Sequence, residues 1–326
     1  MNICKKFEGK KILVWGDFIL DEYIFTSTVR TSREAPVLVT EFVSNLFKLG
    51  GAGNVVMNLK SMGAVPIPVG LTDKKNTGRE LRNILKSYGI DDSGLLAVEG
   101  YKTPKKSRIL SGSENTRKQQ ILRIDTLNNS EISKKSYDQL FEILVSLIPE
   151  CDTIIISDYL KEAVTAEMFA KLIGLFPEKI FILDSRDNLL EFEGVSYVTP
   201  NEPEIKKLFP SVKFRNTEDF LSSGKELIKK LKCKGVVLKR GHEGMIIFEK
   251  DTEPEIIPIH GSSEIVDVTG AGDTVISLIG LGLSSGFSLI QSAKIANTGA
   301  SVVVMKEGAY PLKPAEIEAE LTDVKI

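Results

Sequence analysis

Hydrophobic positions along the chain fall into two patterns that alternate. Short unbroken apolar runs occur at Ile12-Leu13-Val14-Trp15, Thr153-Ile154-Ile155-Ile156, Ile180-Phe181-Ile182-Leu183 and Gly235-Val236-Val237-Leu238. Their length and β-branched content suit strands buried on both faces. Between and beyond them, in 54–62, 78–88, 137–147, 166–176 and 218–231, apolar residues return every three or four positions, the spacing of an amphipathic helix. Val55, Val56, Leu59 and Met62 form one such stripe, closed by Gly63; Leu81, Ile84, Leu85 and Tyr88 form another, closed by Gly89. Val65-Pro66-Ile67-Pro68-Val69 is also strand-like, and its two prolines predict an edge or irregular strand. This alternation predicts an α/β fold with a mostly parallel sheet.

Two regions break the alternation. Residues 37–42, and 106–110 with 120–124, look like strands without intervening helices. They predict a small accessory sheet projecting from the main domain, with edge strands of the main sheet as the alternative. No internal repeat or long linker divides the chain, so one domain over 1–326 is expected.

Composition narrows the function classes. The chain has 326 residues, 42 Lys plus Arg against 44 Asp plus Glu, and a net charge of −2, which excludes disorder and argues against a dedicated nucleic-acid binder. The N-terminus becomes charged before any apolar run develops, and the most apolar stretch, 275–283, is too short to span a bilayer. Cytoplasmic residence, with no membrane partner, is the expectation. Three cysteines and two histidines leave little for a disulfide framework, a histidine metal site or a Ser-His-Asp triad.

The strongest chemical motif is Asp267-Val268-Thr269-Gly270-Ala271-Gly272-Asp273, followed by an apolar helix over 274–286. A turn nearly bare of side chains lets a polyanion approach backbone amides at a helix N-terminus. Gly270, Ala271 and Gly272 are therefore candidates for an anion hole. Asp273 beside them is a candidate base for a hydroxyl; a plain helix cap is the structural alternative. Gly50-Gly51-Ala52-Gly53-Asn54 is a second glycine-rich turn, in which Gly51 and Asn54 could meet a polyol or simply cap a helix. In Thr199-Pro200-Asn201-Glu202-Pro203-Glu204, Asn201 and Glu204 share a helical face, as a ligand-binding pair or as an acidic helix start. Lys239 ends a strand before Arg240-Gly241-His242-Glu243-Gly244, where His242 reads as an exposed turn residue. No P-loop is present, since Gly224-Lys225 is followed by Glu226, and no Gly-x-Gly-x-x-Gly fingerprint is completed. The latter argues against a nicotinamide-dependent dehydrogenase.

The Asp-x-Thr-Gly-Ala-Gly-Asp pattern resembles the C-terminal signature of the ribokinase-like (PfkB) carbohydrate kinases, and Gly50–Asn54 resembles their N-terminal sugar-binding signature. The resemblance implies a three-layer α/β/α sandwich with a small β-sheet lid, contributed by about 24–48 and 101–125. It further implies ATP with Mg²⁺. Asp273 would be the base; Asn201, Glu204, Lys239, Gly241, Asp267 and Thr269 would serve the nucleotide; and Asn201 and Glu204 would support the metal.

Within those kinases, several segments resemble the heptose 7-phosphate kinases of lipopolysaccharide core synthesis. They are 14–21, Gln119–Asp125, Ser157-Asp158-Tyr159-Leu160-Lys161 and Arg30–Val37, where Arg33 replaces a proline. Glu162 stands where those kinases usually carry glycine. The implied reaction transfers the ATP γ-phosphate to the anomeric hydroxyl of a heptose 7-phosphate. Asp17 and Asp21 would accept from sugar hydroxyls, Asp158 would line the substrate site, and Lys106, Arg108, Arg123 and Lys161 would meet the distal phosphate; for each cation alone, solvated surface is the alternative. Another sugar or nucleoside kinase of the same fold is the runner-up, and a catalytically silent sugar binder is the reading from a different class. Nothing matches the His-x-Gly-His motif of a nucleotidyltransferase module, so a kinase without one is expected. The apolar residues Val37, Val39, Phe42 and Phe47 predict a lid that pairs with a second subunit as a homodimer.

Overall fold

The computed structural model describes residues 3–112, 118–261 and 265–322, so 113–117, inside the expected lid segment, lie outside the described residues. Its strands in chain order are β1 (Lys11–Gly16), β2 (Phe18–Thr31), β3 (Leu38–Gly51), β4 (Val65–Thr72), β5 (Leu95–Ala97), β6 (Lys105–Ser111), β7 (Gln119–Thr126), β8 (Thr153–Asp158), β9 (Ile180–Ser185), β10 (Tyr197–Val198), β11 (Gly235–Lys239), β12 (Met245–Glu249) and β13 (Glu255–Ile257). The helices are α1 (Ala52–Ser61), α2 (Thr77–Ser87), α3 (Lys134–Leu147), α4 (Ala166–Leu175), α5 (Glu202–Leu208), α6 (Thr217–Leu231), α7 (Ala271–Ser284), α8 (Leu289–Val303) and α9 (Pro314–Leu321).

Nine strands form one sheet in the order β13-β12-β11-β10-β9-β8-β1-β4-β5. Pairing is parallel from β11 to β5, and β12 and β13 extend one edge antiparallel. Side chains on successive strand residues point to opposite faces, which divides the core in two. Ile12 and Val14 pack on one face with α1, α2, α7, α8 and α9; Leu13 and Trp15 pack on the other with α3, α4, α5 and α6. Helices on both faces force the strands to be apolar throughout, which is why the runs read from the sequence were unbroken.

The prolines of β4 sit where the sheet tolerates them. Val65 donates its amide to Lys10 at 2.8 Å, on the β1 side, so the alternating backbone turns Pro66 and Pro68 toward the other side. β5 joins that side only from Gly70 onward, past both prolines, so the ladder there never calls on the donors they lack. The strand is locally an edge, as the prolines suggest, although it lies inside the sheet.

The four remaining strands form a separate small sheet, β3-β2-β6-β7, rather than edges of the main one. β2 and β3 are a 14-residue hairpin pair, longer than the sequence pattern indicates, and bulges break their register at Phe25/Thr26 and Thr28/Arg30. One face carries exposed apolar residues, with Phe42 67% exposed beside Leu38, Leu122 and Ile124. Phe47 does not join them: it packs against the main core near the root of β3.

Gly224, which begins the rejected Gly-Lys-Glu sequence, is a packing residue inside α6. A β-carbon there would lie 2.2 Å from the ring of Phe248 on β12. Gly224→Ala is therefore expected to cost about 2 kcal/mol by overpacking and to lower the thermal unfolding midpoint. An unchanged midpoint by circular dichroism would contradict the packing described.

Candidate active site

Parallel strands that end together leave a crevice at their carboxyl ends. Here β8 brings Asp158, β9 brings Asp184 and β11 brings Lys239 to the same rim as the N-terminus of α7. The small sheet lies across that rim, with Asp21 from β2, Lys106 and Arg108 from β6, and Arg123 from β7 lining the same cavity of about 480 Å³.

Asp273 is at the third position of α7 and is buried. Its Oδ2 accepts from Asn54 Nδ2 at 2.7 Å and its Oδ1 from the Tyr159 hydroxyl at 2.9 Å. Gly270, the helix cap, has φ +83°, and a β-carbon there would stand 2.6 Å from Asn54 Nδ2. A side chain at 270 would thus break the contact that orients the carboxylate, so the bare turn has a steric reason as well as an electrostatic one. Of the expected anion-hole residues, Ala271 has its amide engaged by the Val268 carbonyl at 3.2 Å. The amides of Gly270, Gly272 and Asp273 are the ones that helix geometry leaves without an intrahelical acceptor.

Lys239 lies beside this turn, its ammonium 3.5 Å from where a Gly272 β-carbon would be. It donates to Asp184 Oδ1 at 2.8 Å, and Thr199 donates to the same oxygen at 2.9 Å. Burial opposes the lysine's charge, but the Asp184 and Glu204 carboxylates outweigh it and raise its pKa. Asn201 and Glu204 both line the cavity, and their mutual geometry is a complete capping box on α5: Glu204 Oε2 accepts from the Asn201 amide at 2.8 Å, and Asn201 Oδ1 from the Glu204 amide at 2.9 Å. Burial, then the Asp184 charge, raises the Glu204 pKa. Asn201, Lys239 and Gly272 also line a second, adjoining cavity of about 540 Å³, which includes Gly241, His242 and the apolar Val275 and Val304.

Two expectations, for Asp17 and Asp267, need correction, and a third residue, Lys161, falls in an adjoining cavity. Asp17 does not line the cavity: its Oδ2 accepts from the amides of Tyr159 (2.8 Å) and Lys161 (2.9 Å), and its Oδ1 from that of Ala163 (3.1 Å). It is a buried clamp on the loop after β8, and burial raises its pKa to about 6 against those three hydrogen bonds. Asp267 is likewise turned to backbone, accepting from the amide of Thr269 in its own loop (2.9 Å) and that of Gly308 in the segment between α8 and α9 (2.9 Å), while Thr269 does line the cavity. Lys161 lies outside the main cavity and lines a smaller one of about 180 Å³, together with Lys105, Lys106, Arg123 and Arg186.

The other substrate-side candidates line the main cavity. Gly51 and Asn54 line the main cavity, and Asp21 accepts from Arg108 at 2.6 Å. Asp158 Oδ2 accepts from Ser185 at 2.7 Å, and Arg123 pairs with both oxygens of Asp125 at 2.7 and 2.5 Å. Glu162 has φ +76°, a left-handed backbone conformation that explains a glycine preference at this position; its carboxylate accepts from Asn128 at 2.7 Å. Sequence reasoning did not single out Tyr159, Asp184 or Arg186. The usable signal was position, since Asp184 stands near the end of an apolar strand in the same parallel sheet as β8, which ends in Asp158, and β11, which ends in Lys239.

Burial lifts the Asp273 carboxyl from its ordinary value to about 6; the hydrogen bonds from Asn54 and Tyr159 oppose the rise, Asp184 adds to it and Lys239 reduces it. A carboxyl raised on folding destabilises the folded state as pH climbs through the unfolded value of 3.8, fully so above about 6. Asp273→Asn removes that cost. In urea titrations its stability relative to the unchanged protein should improve between about pH 4 and pH 6 and then level off. A pH-independent difference would contradict the burial described.

Comparison with known proteins gives three further findings. Residues 10–316 match the family described as pfkB family carbohydrate kinase. The bifunctional protein HldE of Desulfatibacillum aliphaticivorans is 33% identical over 98% of this chain, and that of Sulfurimonas denitrificans is 34% identical over the same share. The chain spans 65% of the length of each of these relatives. In fold it is similar to Arabidopsis thaliana ribokinase, complexed with ribose and ATP (TM-score 0.74, 17% identity, 97% of this chain and 100% of that one), and to Escherichia coli phosphofructokinase-2 in complex with fructose-6-phosphate (TM-score 0.74, 17% identity, 96% and 98%).

Proposed function

Because this chain belongs to the pfkB family of carbohydrate kinases and is a sugar kinase, we propose that it transfers the ATP γ-phosphate to the anomeric hydroxyl of D-glycero-D-manno-heptose 7-phosphate. The observation that carries the choice of acceptor is the small cation-lined cavity opening beside the Asp273 site, since an acceptor that already bears phosphate needs such a place at its distal end. The similarity to the HldE proteins supports the same choice.

In this reading Asp273 takes the proton of the acceptor hydroxyl as that oxygen attacks the γ-phosphorus. The bond to the β-phosphate oxygen breaks and ADP leaves. Amides at the start of α7 and the Lys239 ammonium stabilise the charge on the transferring group. The adjoining, more apolar cavity takes the nucleoside. Among the described residues no group of three or more His, Cys, Asp or Glu could hold a metal by itself. That suits Mg²⁺, which keeps phosphate and water ligands and would find Asp184, Glu204 and Asn201 as nearby oxygen donors. Bound with the nucleotide, the ion neutralises phosphate charge.

The chain acts as one catalytic unit in this reading, with the small sheet as a lid that excludes water and a homodimer formed through its apolar face. Among the described residues no helix is long and apolar enough to cross a membrane. Light scattering at micromolar concentration should give twice the chain mass, and a monomer would contradict the pairing.

The acceptor is tested with purified protein, ATP and Mg²⁺ against phosphorylated and unphosphorylated sugars. Heptose 7-phosphate should have the highest kcat/KM, and Arg186→Ala should raise its KM about tenfold or more while leaving that of ATP nearly unchanged. Equal turnover of unphosphorylated hexoses would overturn the assignment and favour another sugar kinase of this fold.

A further inference from the structure

We propose that Tyr159 is a positioning residue of this reaction: its hydroxyl orients the Asp273 carboxylate toward the acceptor, and Asp17 acts through it by fixing the loop that carries it. The inference rests on the reading of Asp273 as the proton acceptor.

The Tyr159 hydroxyl and the Asn54 amide donate to different oxygens of Asp273, at 2.9 and 2.7 Å, which fixes the plane of the carboxylate. A carboxylate oxygen accepts two hydrogen bonds, so each keeps one lone pair for the acceptor proton. Tyr159 is itself held at three points. Asp17 Oδ2 accepts from its amide at 2.8 Å, the Arg186 guanidinium lies 4.7 Å from its ring centroid, and the Lys106 ammonium lies 5.7 Å from the same centroid.

The loop it sits on leaves the strand with Leu160 at φ +58° and Glu162 at φ +76°, conformations that non-glycine residues adopt at a cost. One buried carboxylate, Asp17, ties three amides of this segment to the end of β1, and Trp15 on β1 donates its indole Nε1 to Ala163 O at 2.9 Å. The strained loop is therefore over-determined, as a positioning element must be. The charged and titratable groups facing Asp273 are Asp184 from β9, Lys239 from β11 and Tyr159 itself. Burial and the Asp273 carboxylate hold the Tyr159 hydroxyl well above its ordinary pKa, so it keeps its proton and donates throughout the working range.

The test compares pH profiles of kcat/KM with ATP, Mg²⁺ and heptose 7-phosphate for the unchanged protein, Tyr159→Phe and Asp273→Asn. Tyr159→Phe keeps the ring between its two cations, and its thermal midpoint checks that it is folded. Loss of a neutral donor to the base should move the acid limb upward by about one pH unit. It should also lower kcat about tenfold, with KM for ATP within a factor of about two. Substrate phosphates titrate equally in both proteins, so the shift belongs to the enzyme. An unshifted acid limb with kcat within about twofold, beside an inactive Asp273→Asn, would overturn the inference alone. An active Asp273→Asn would overturn the underlying reading and the inference with it.

Discussion

Taking an ionised carboxylate out of water costs several kcal/mol unless charge and hydrogen bonds compensate, and Asp273 is buried at the bottom of the crevice. Much of the fold meets that requirement. Asn54 arrives from α1, Tyr159 from the loop after β8, the helix amides from α7, and Lys239 from β11, where Asp184 of β9 balances its charge. These elements are far apart in the chain. They meet because β8 and β9 lie side by side in one parallel sheet, with β11 two strands from β9, and all of them end at the same rim. The strand order thus decides the chemistry, and the two packed cores hold the strand order in place.

The small sheet completes what the main sheet begins. Its strands carry Asp21, Lys106, Arg108 and Arg123 over the crevice, so that side is polar and charged, whereas the adjoining cavity, bounded by α7, α8 and the 239–245 turn, is more apolar. Near-neutral overall charge is compatible with anionic ligands because the relevant cations are gathered at one place, and backbone amides supply the rest. Asp17 shows the structural side of the same economy: a carboxylate just after β1 that lines neither the main cavity nor the two beside it nevertheless holds the Tyr159 amide at 2.8 Å.

The seven residues from Asp267 to Asp273 were legible in the sequence because a bare turn ahead of a helix is local chemistry, and so was the Gly50–Asn54 turn that faces it. The apolar strand runs were legible because both faces of the sheet are covered. Tyr159, Asp184 and Arg186 were not, since each gains its role only from the strands beside it. Asp17 was assigned to the sugar because its type and position fit, but its side-chain direction is set by amides 142 to 146 residues away. The first residues of β2, ahead of the expected lid segment at 24–48, are hard to read as strand because Asp21 and Glu22 interrupt their apolar pattern; both are buried, paired with Arg108 and with Lys105 and Ser107. Phe47 shares a face with Phe42 but is half-buried at the hairpin's root, and root and tip cannot be told apart by alternation alone.

The claim on which the functional account depends is that the Asp273 centre delivers phosphate to the anomeric oxygen of a sugar held by its own phosphate. The direct measurement is ³¹P NMR of a reaction containing the protein, ATP, Mg²⁺ and heptose 7-phosphate. The account predicts a new phosphomonoester resonance coupled to the anomeric proton, growing in step with ADP, while the 7-phosphate resonance persists. Growth of inorganic phosphate alone, or of a phosphate coupled to a ring carbon other than the anomeric one, would contradict it.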